Sequence, residues 1–150
     1  MAWLPVNNQW RKLRRIWKEH MFSLQSLDAR EGKRREKLHK LCDYLNQHCV
    51  NGHVVDITEA TFTTSLNMIS STLFSVDFAG FNSDSSQEFK DVRNDLFLGG
   101  TDTAPATVEW AMAELLRNPK KMLKAKSKPS DVIGEHDVIQ ELDILKLPYL

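Results

Sequence analysis

The feature that most constrains the fold is a helical spacing of apolar residues. It recurs along most of the chain and is interrupted by helix stops, not by a two-residue alternation. Trp10, Leu13 and Trp17 share one helical face, with Asn7 or Asn8 placed to cap it. This helix is predicted to end near Phe22-Ser23. Asp28, with Glu31 three residues on, predicts a capping box and a second start. The helix behind it carries Leu38, Leu41, Cys42, Leu45 and Cys49 on one stripe and stops at Asn51-Gly52. Asp56 and Glu59 predict another capped start, followed by Phe62, Leu66, Ile69, Leu73 and Val76 at helical spacing. Val54-Val55 is too short for a strand, so a mainly α chain with little or no sheet is expected.

The second half is punctuated more heavily. Gly80 to Gln87 reads as a polar loop, and helix resumes near Glu88 and runs into Leu96-Phe97-Leu98. Gly99-Gly100-Thr101-Asp102-Thr103-Ala104-Pro105 would break a helix on propensity alone. Beyond it Val108, Ala111, Met112, Leu115 and Leu116 mark an amphipathic helix. Asn118-Pro119 is a cap with proline at the first helical position. Pro129 disturbs that helix, Gly134 closes it, and Ile139 to Leu147 forms a last short one.

Charge narrows the function classes. The formal net charge is +0, so no global field draws the chain to nucleic acid or membrane. Residues 11–40 hold eleven of the twenty Lys and Arg against four acids, which reads mostly as a solvated helix face. No nucleic-acid-binding fingerprint accompanies the basic run. Thr61 to Phe81, the greasiest stretch, contains Asn67 and Asp77 and is too polar to span a membrane. The opening residues have no signal-peptide pattern, so the chain reads as soluble and cytoplasmic.

Three groups of residues carry candidate chemistry. Trp10 and Arg14, four apart, offer an indole N–H and a guanidinium fork on one face, a pairing suited to a carboxylate. The alternative is a core Trp beside a surface Arg. Gly99 and Gly100 would let a ligand approach the backbone, with Asp102 and Thr103 supplying a proton-relaying acid and a water-holding hydroxyl. The alternative there is a helix end followed by the cap of the next helix. His39, Cys42, His48, Cys49 and His53 are metal-ligand types. On a helix, however, Cys42 and Cys49 stand about 10 Å apart. No metal site is expected, and the cysteines read as small core residues.

The motifs in this order resemble a known family. Trp10-Arg11-Lys12-Leu13-Arg14 is similar to the Trp-x-x-x-Arg motif on the C helix of cytochromes P-450. Gly99-Gly100-Thr101-Asp102-Thr103 resembles that family's (Ala/Gly)-Gly-x-(Asp/Glu)-Thr motif on the I helix. Thr107 to Pro119, Phe62 to Asn67 and Ser86 to Asp91 look like plant microsomal members, nearest the geraniol 8-hydroxylase-like group. The resemblance implies a single incomplete cytochrome P-450 domain over 1–150. Its C, D and E helices would lie in 1–93, and 94–150 would hold the second half of the I helix and the J region, with F and I spliced together. It implies haem as cofactor, with Trp10 and Arg14 on a propionate and Gly99 and Gly100 letting the helix pass over the haem face. Asp102 and Thr103 would serve oxygen activation. It further implies NADPH-cytochrome P-450 reductase as partner, a small apolar substrate such as a monoterpenoid, and an endoplasmic reticulum membrane setting for the family.

The departures shape the expectation as much as the match. Only a few residues join Phe89-Lys90-Asp91 to Leu96-Phe97-Leu98, where the resemblance implies a long lid region. No membrane anchor opens the chain. The Glu-x-x-Arg motif and the cysteine loop that ligates the iron do not occur in it, and neither Cys42 nor Cys49 sits in a matching motif. The chain by itself is therefore expected to be an inactive relative of a monooxygenase, or a non-catalytic helical polypeptide with exposed apolar faces such as Leu66, Ile69 and Leu73.

Overall fold

The computed structural model describes residues 5–81, 101–134 and 139–147. Every regular element among them is helical, and none is a strand. In chain order they are α1 (Asn8–Ile16), a π-helical turn (Trp17–Met21), α2 (Leu24–Asp28), α3 (Glu31–Asn51), α4 (Ile57–Phe74), α5 (Thr103–Arg117), α6 (Pro119–Ile133) and a 3₁₀ helix (Glu141–Lys146). Two compact units divide the chain, Met1–Val108 and Glu109–Leu150.

The helix starts follow local chemistry. The Asn7 side chain accepts the Trp10 N–H at 2.9 Å and opens α1. The Asp56 carboxylate accepts the Glu59 N–H at 3.0 Å and opens α4. Gly52, at φ +67°, closes α3 in the left-handed region that a side chain disfavours. Asp28 departs from expectation: it lies inside α2, whose start is capped by Ser23, and α3 begins after Arg30 without a side-chain cap. The turn from α2 to α3 is held by arginines instead. Arg30 donates to the Ser26 carbonyl at 3.0 Å and to its hydroxyl, and Arg34 donates to the Leu27 carbonyl at 2.7 Å. The basic run is thus only partly a solvated face.

In the first unit α3 packs along α4, and the residues that meet coincide only in part with the predicted stripes. On α3, Leu38, Cys42 and Cys49 are exposed, while Lys37 is buried and Arg34, Leu41, Tyr44, Leu45 and His48 are half-buried. The cysteines are therefore not core residues, and both are free thiols. On α4 the buried face is Ala60, Thr63, Thr64, Leu66, Asn67, Ser70 and Ser71. Leu66 is fully buried rather than part of an exposed stripe. Small hydroxyl residues allow close approach, and three of them find acceptors within the helix. Thr64 donates to the Ala60 carbonyl at 2.9 Å, and Ser70 and Ser71 donate to carbonyls three residues back.

Two polar anchors fix the segment that leaves α4. Lys37 Nζ reaches both carboxylate oxygens of Asp77, at 2.7 and 2.9 Å. The Asn67 side chain accepts the N–H groups of Phe78 and Ala79, at 2.9 and 3.0 Å, and donates to the Ala79 carbonyl at 2.7 Å. A buried amide with three satisfied contacts is a rigid clasp, because leaving any of them unmade costs desolvation energy.

In the second unit, Pro119 begins α6 as predicted, and the Asn118 carbonyl accepts the Met122 N–H. The Asn118 amide turns back to the Glu114 carbonyl and carboxylate, at 3.0 and 2.8 Å. Pro129 lies within α6 without ending it, and Gly134 follows the helix at φ +102°. The last short helix is the 3₁₀ element, opened by a Gln140–Asp143 capping box.

Candidate functional site

The two motif regions are held in different ways. Trp10 is half-buried on α1, and the Arg14 guanidinium carbon stands 5.0 Å from its ring centroid, a cation–π contact. The i, i+4 spacing places the two side chains one turn apart, and the stack pre-orients the guanidinium. Arg14 is exposed and has no acidic partner among the described residues. Its donors are available to an anion.

Asp102 interrupts the helical backbone between Thr101 and Thr103. It immediately precedes α5, and its carbonyl accepts the Ala106 N–H at 3.3 Å. Asp102 and Thr103 are both exposed, whereas Thr101 is almost fully buried. Pro105 lies in the first turn of α5, where N–H groups lack intrahelical partners anyway, so the missing donor leaves the helix intact. Gly99 and Gly100 lie outside the described residues.

Trp10 meets Arg14, and Asp102 adjoins Thr103, but no hydrogen bond or ion pair joins the two pairs. Next to Thr103, Ala104 helps to wall an apolar cavity of about 290 Å³ in the first unit. Its other walls include Phe22, Leu27, Met68, Ile69 and Leu73. None of the four motif residues lines it. Sequence reasoning passed over this hollow, although Met68, Ile69, Thr72 and Leu73 repeat at helical spacing.

Among the described residues no group of three or more His, Cys, Asp or Glu side chains could hold a metal. His48 instead packs against Tyr44, ring centroids 4.2 Å apart with the planes tilted by 46°, and its Nδ1 lies 3.0 Å from the Tyr44 carbonyl. No described helix is long and apolar enough to cross a membrane.

Among the described residues the chain is helical and strandless, with a Trp–Arg pair open to an anion and an Asp–Thr pair at a helix start. The family model for Cytochrome P450 matches residues 3–97 and 85–150, two stretches that overlap over 85–97. The chain belongs to the cytochrome P450 family. It is 37% identical to "Cytochrome P450 76T24" of Catharanthus roseus, over all of this chain and 48% of that protein. It is 30% identical to a "Ferruginol synthase" of Isodon rubescens and 29% to a "Geraniol 8-hydroxylase" of Catharanthus roseus, over all of this chain and 49% and 48% of those proteins. The chain spans about half the length of the curated relatives it matches. The first of these alignments runs over 238 positions against 150 residues here, so within the aligned span about 88 positions of that relative have no counterpart in this chain.

The residues present fit haem at one end only. Arg14 and the Trp10 indole suit a propionate carboxylate. For the iron, Cys42 and Cys49 are exposed on α3, and neither lines the hollow beside Ala104.

Proposed function

We propose that this chain derives from a haem-dependent monooxygenase that hydroxylates a small apolar, terpenoid-like substrate, and that these 150 residues alone do not complete the reaction. Trp10 and Arg14 would hold a propionate, the guanidinium through charge-assisted hydrogen bonds. Asp102, at the helix interruption, would relay protons together with the Thr103 hydroxyl and a water. Gly99 and Gly100, which lie outside the described residues, are assigned to the haem face only by the likeness of their motif. The haem, when bound, supplies the oxygen chemistry, with electrons from NADPH-cytochrome P-450 reductase. In the whole protein that chemistry would belong at the endoplasmic reticulum membrane. The observation that carries this reading is the stacked, acid-free Arg14 over Trp10 inside a family match covering the chain. The names of the relatives, a geraniol hydroxylase and a ferruginol synthase, support the substrate class.

Haem titration followed by absorbance tests both halves. Arg14→Ala should weaken haem binding about tenfold, the loss of a hydrogen bond to a charged group. Unchanged affinity would remove Arg14 from the site. Reduction under carbon monoxide should give no thiolate-type band, and such a band would overturn the claim that this piece is inactive.

A second reading, a non-catalytic helical polypeptide that pairs with another chain, is favoured by one observation. Trp110, Leu116 and Leu123 are 74%, 69% and 68% exposed.

A further inference from the structure

Two thiols on α3 take no part in the monooxygenase reading. Cys42 and Cys49 are both free and both exposed. Seven residues apart, they fall on one face of the helix, about 10 Å from each other along its axis. A disulfide needs Cα atoms about 4.4–6.8 Å apart, so the two cannot join within one copy. Their face is separate from the one that meets α4, where Lys37 is buried and Leu41, Tyr44 and His48 are half-buried.

Charge thins out around the thiols. Glu31 to Lys40 holds seven charged side chains, whereas Leu41 to Val50 holds one, Asp43. Leu38, one turn before Cys42, is 45% exposed, and Val50, beside Cys49, is 85% exposed. The centre of a protein contact is depleted of charge in the same way.

The i, i+7 spacing selects the occupant. In a two-fold contact a patch meets itself, so residue i touches residue j of the other copy and j touches i. Two α3 helices laid antiparallel, with the two-fold axis between Leu45 and Asn46, bring Cys42 of each copy opposite Cys49 of the other. Asp43 then stands level with His48 of the other copy, not with a second acid. At an interaxial distance of about 9–10 Å, facing Cα atoms are about 4.4–5.4 Å apart, because each lies about 2.3 Å from its axis. That separation falls within the range a disulfide accepts.

We propose that this face of α3 docks a second copy of the chain, and that a peroxide locks the antiparallel pair through two Cys42–Cys49 disulfides. One thiolate attacks the peroxide O–O bond, forms an S–O bond and releases hydroxide, which takes up a proton and leaves as water. The facing thiol then displaces the sulfenic oxygen as a second water and closes the S–S bond. Each disulfide thus oxidises two thiols and reduces one hydrogen peroxide to two waters. The contact uses none of the haem-motif residues and none of the exposed apolar residues of the second unit, so it stands apart from both functional readings.

Treating the reduced full chain with hydrogen peroxide, followed by electrophoresis without reductant, tests this directly. The expected product is a dimer that a thiol reductant returns to monomer. Cleavage at the Cys42–Asp43 bond separates the two cysteines, and mass spectrometry should then find Cys42 peptides joined to Cys49 peptides. Cys42→Ser and Cys49→Ser, with helical circular dichroism retained, should each lose the dimer although each keeps one exposed thiol. An equimolar mixture of the two variants should regain it through a single disulfide. A parent that stays monomeric, predominant links between like cysteines, dimer from either variant alone or a mixture that stays monomeric would each overturn the proposal.

Discussion

Asn67 shows how much one side chain can decide. Its amide meets the backbone of Phe78 and Ala79 at three points, all between 2.7 and 3.0 Å. Asn67→Ala strands two N–H groups and a carbonyl in a partly buried place. The expected cost is about 3 kcal/mol, read from denaturant unfolding, since each unsatisfied buried group costs about 1–3 kcal/mol. Hydrogen exchange at the Phe78 and Ala79 amides should speed up in the same variant. Protection equal to the parent's would mean that the clasp is unimportant. The residue was visible in the sequence only as an interruption of a greasy stretch. A lone Asn on a helix says nothing of the backbone that will return to meet it.

At the scale of elements, what was legible was local. Asn7, Gly52, Asp56 and Pro119 each mark a helix end that the structure places there, because capping is decided within a few residues of chain. Asp28 misled because a short helix, opened by Ser23, already occupied it. The buried faces were less legible. On α4 the apolar spacing pointed to Phe62, Leu66, Ile69, Leu73 and Val76; Leu66 is buried as expected, but the rest of the buried set is Ala60 with Ser, Thr and Asn, and Val76 is exposed. Helix partners choose the face by how closely backbones can approach, and periodicity in one helix carries no record of that choice. The Trp10–Arg14 contact was readable from i, i+4 spacing, whereas the hollow beside Ala104 needs chain from four separate helices. The end of α4 offers a test of its own. Ser75 follows it at φ +60°, in the left-handed region; its N–H donates to the Ser71 carbonyl at 3.1 Å, and its hydroxyl has an exposed contact from Lys33 at 3.2 Å. Ser75→Gly relieves that backbone strain and should raise stability by about 0.5 kcal/mol, net of the extra freedom of the unfolded chain. A lower melting temperature would show that the Lys33 contact outweighs the strain.

For the first unit as a whole, a charge network joins α3 to the segment after α4. Lys37 and Lys40 sit between Glu36 and Asp77, and Lys40 approaches Glu36 at 2.8 Å. Hydrogen bonding from Lys40, with the charge of Lys37 beside it, holds the Glu36 carboxyl below its ordinary value of 4.5. A carboxyl depressed on folding contributes stability in full above its unfolded value and loses it as pH falls through the folded one. Thermal melts from neutral pH downwards should stay level until the ordinary carboxylate range and then decline, and Glu36→Gln should shrink part of that decline. An identical acid profile in the variant would remove Glu36 from the account. The network and the Asn67 clasp share a wider consequence. Together they finish the α3–α4 pair by residue 79, ahead of the overlap at 85–97 where the two family matches meet. A deletion downstream of such a seal need not unravel what precedes it. Evolution or splicing can cut there and leave the earlier helices registered as they were.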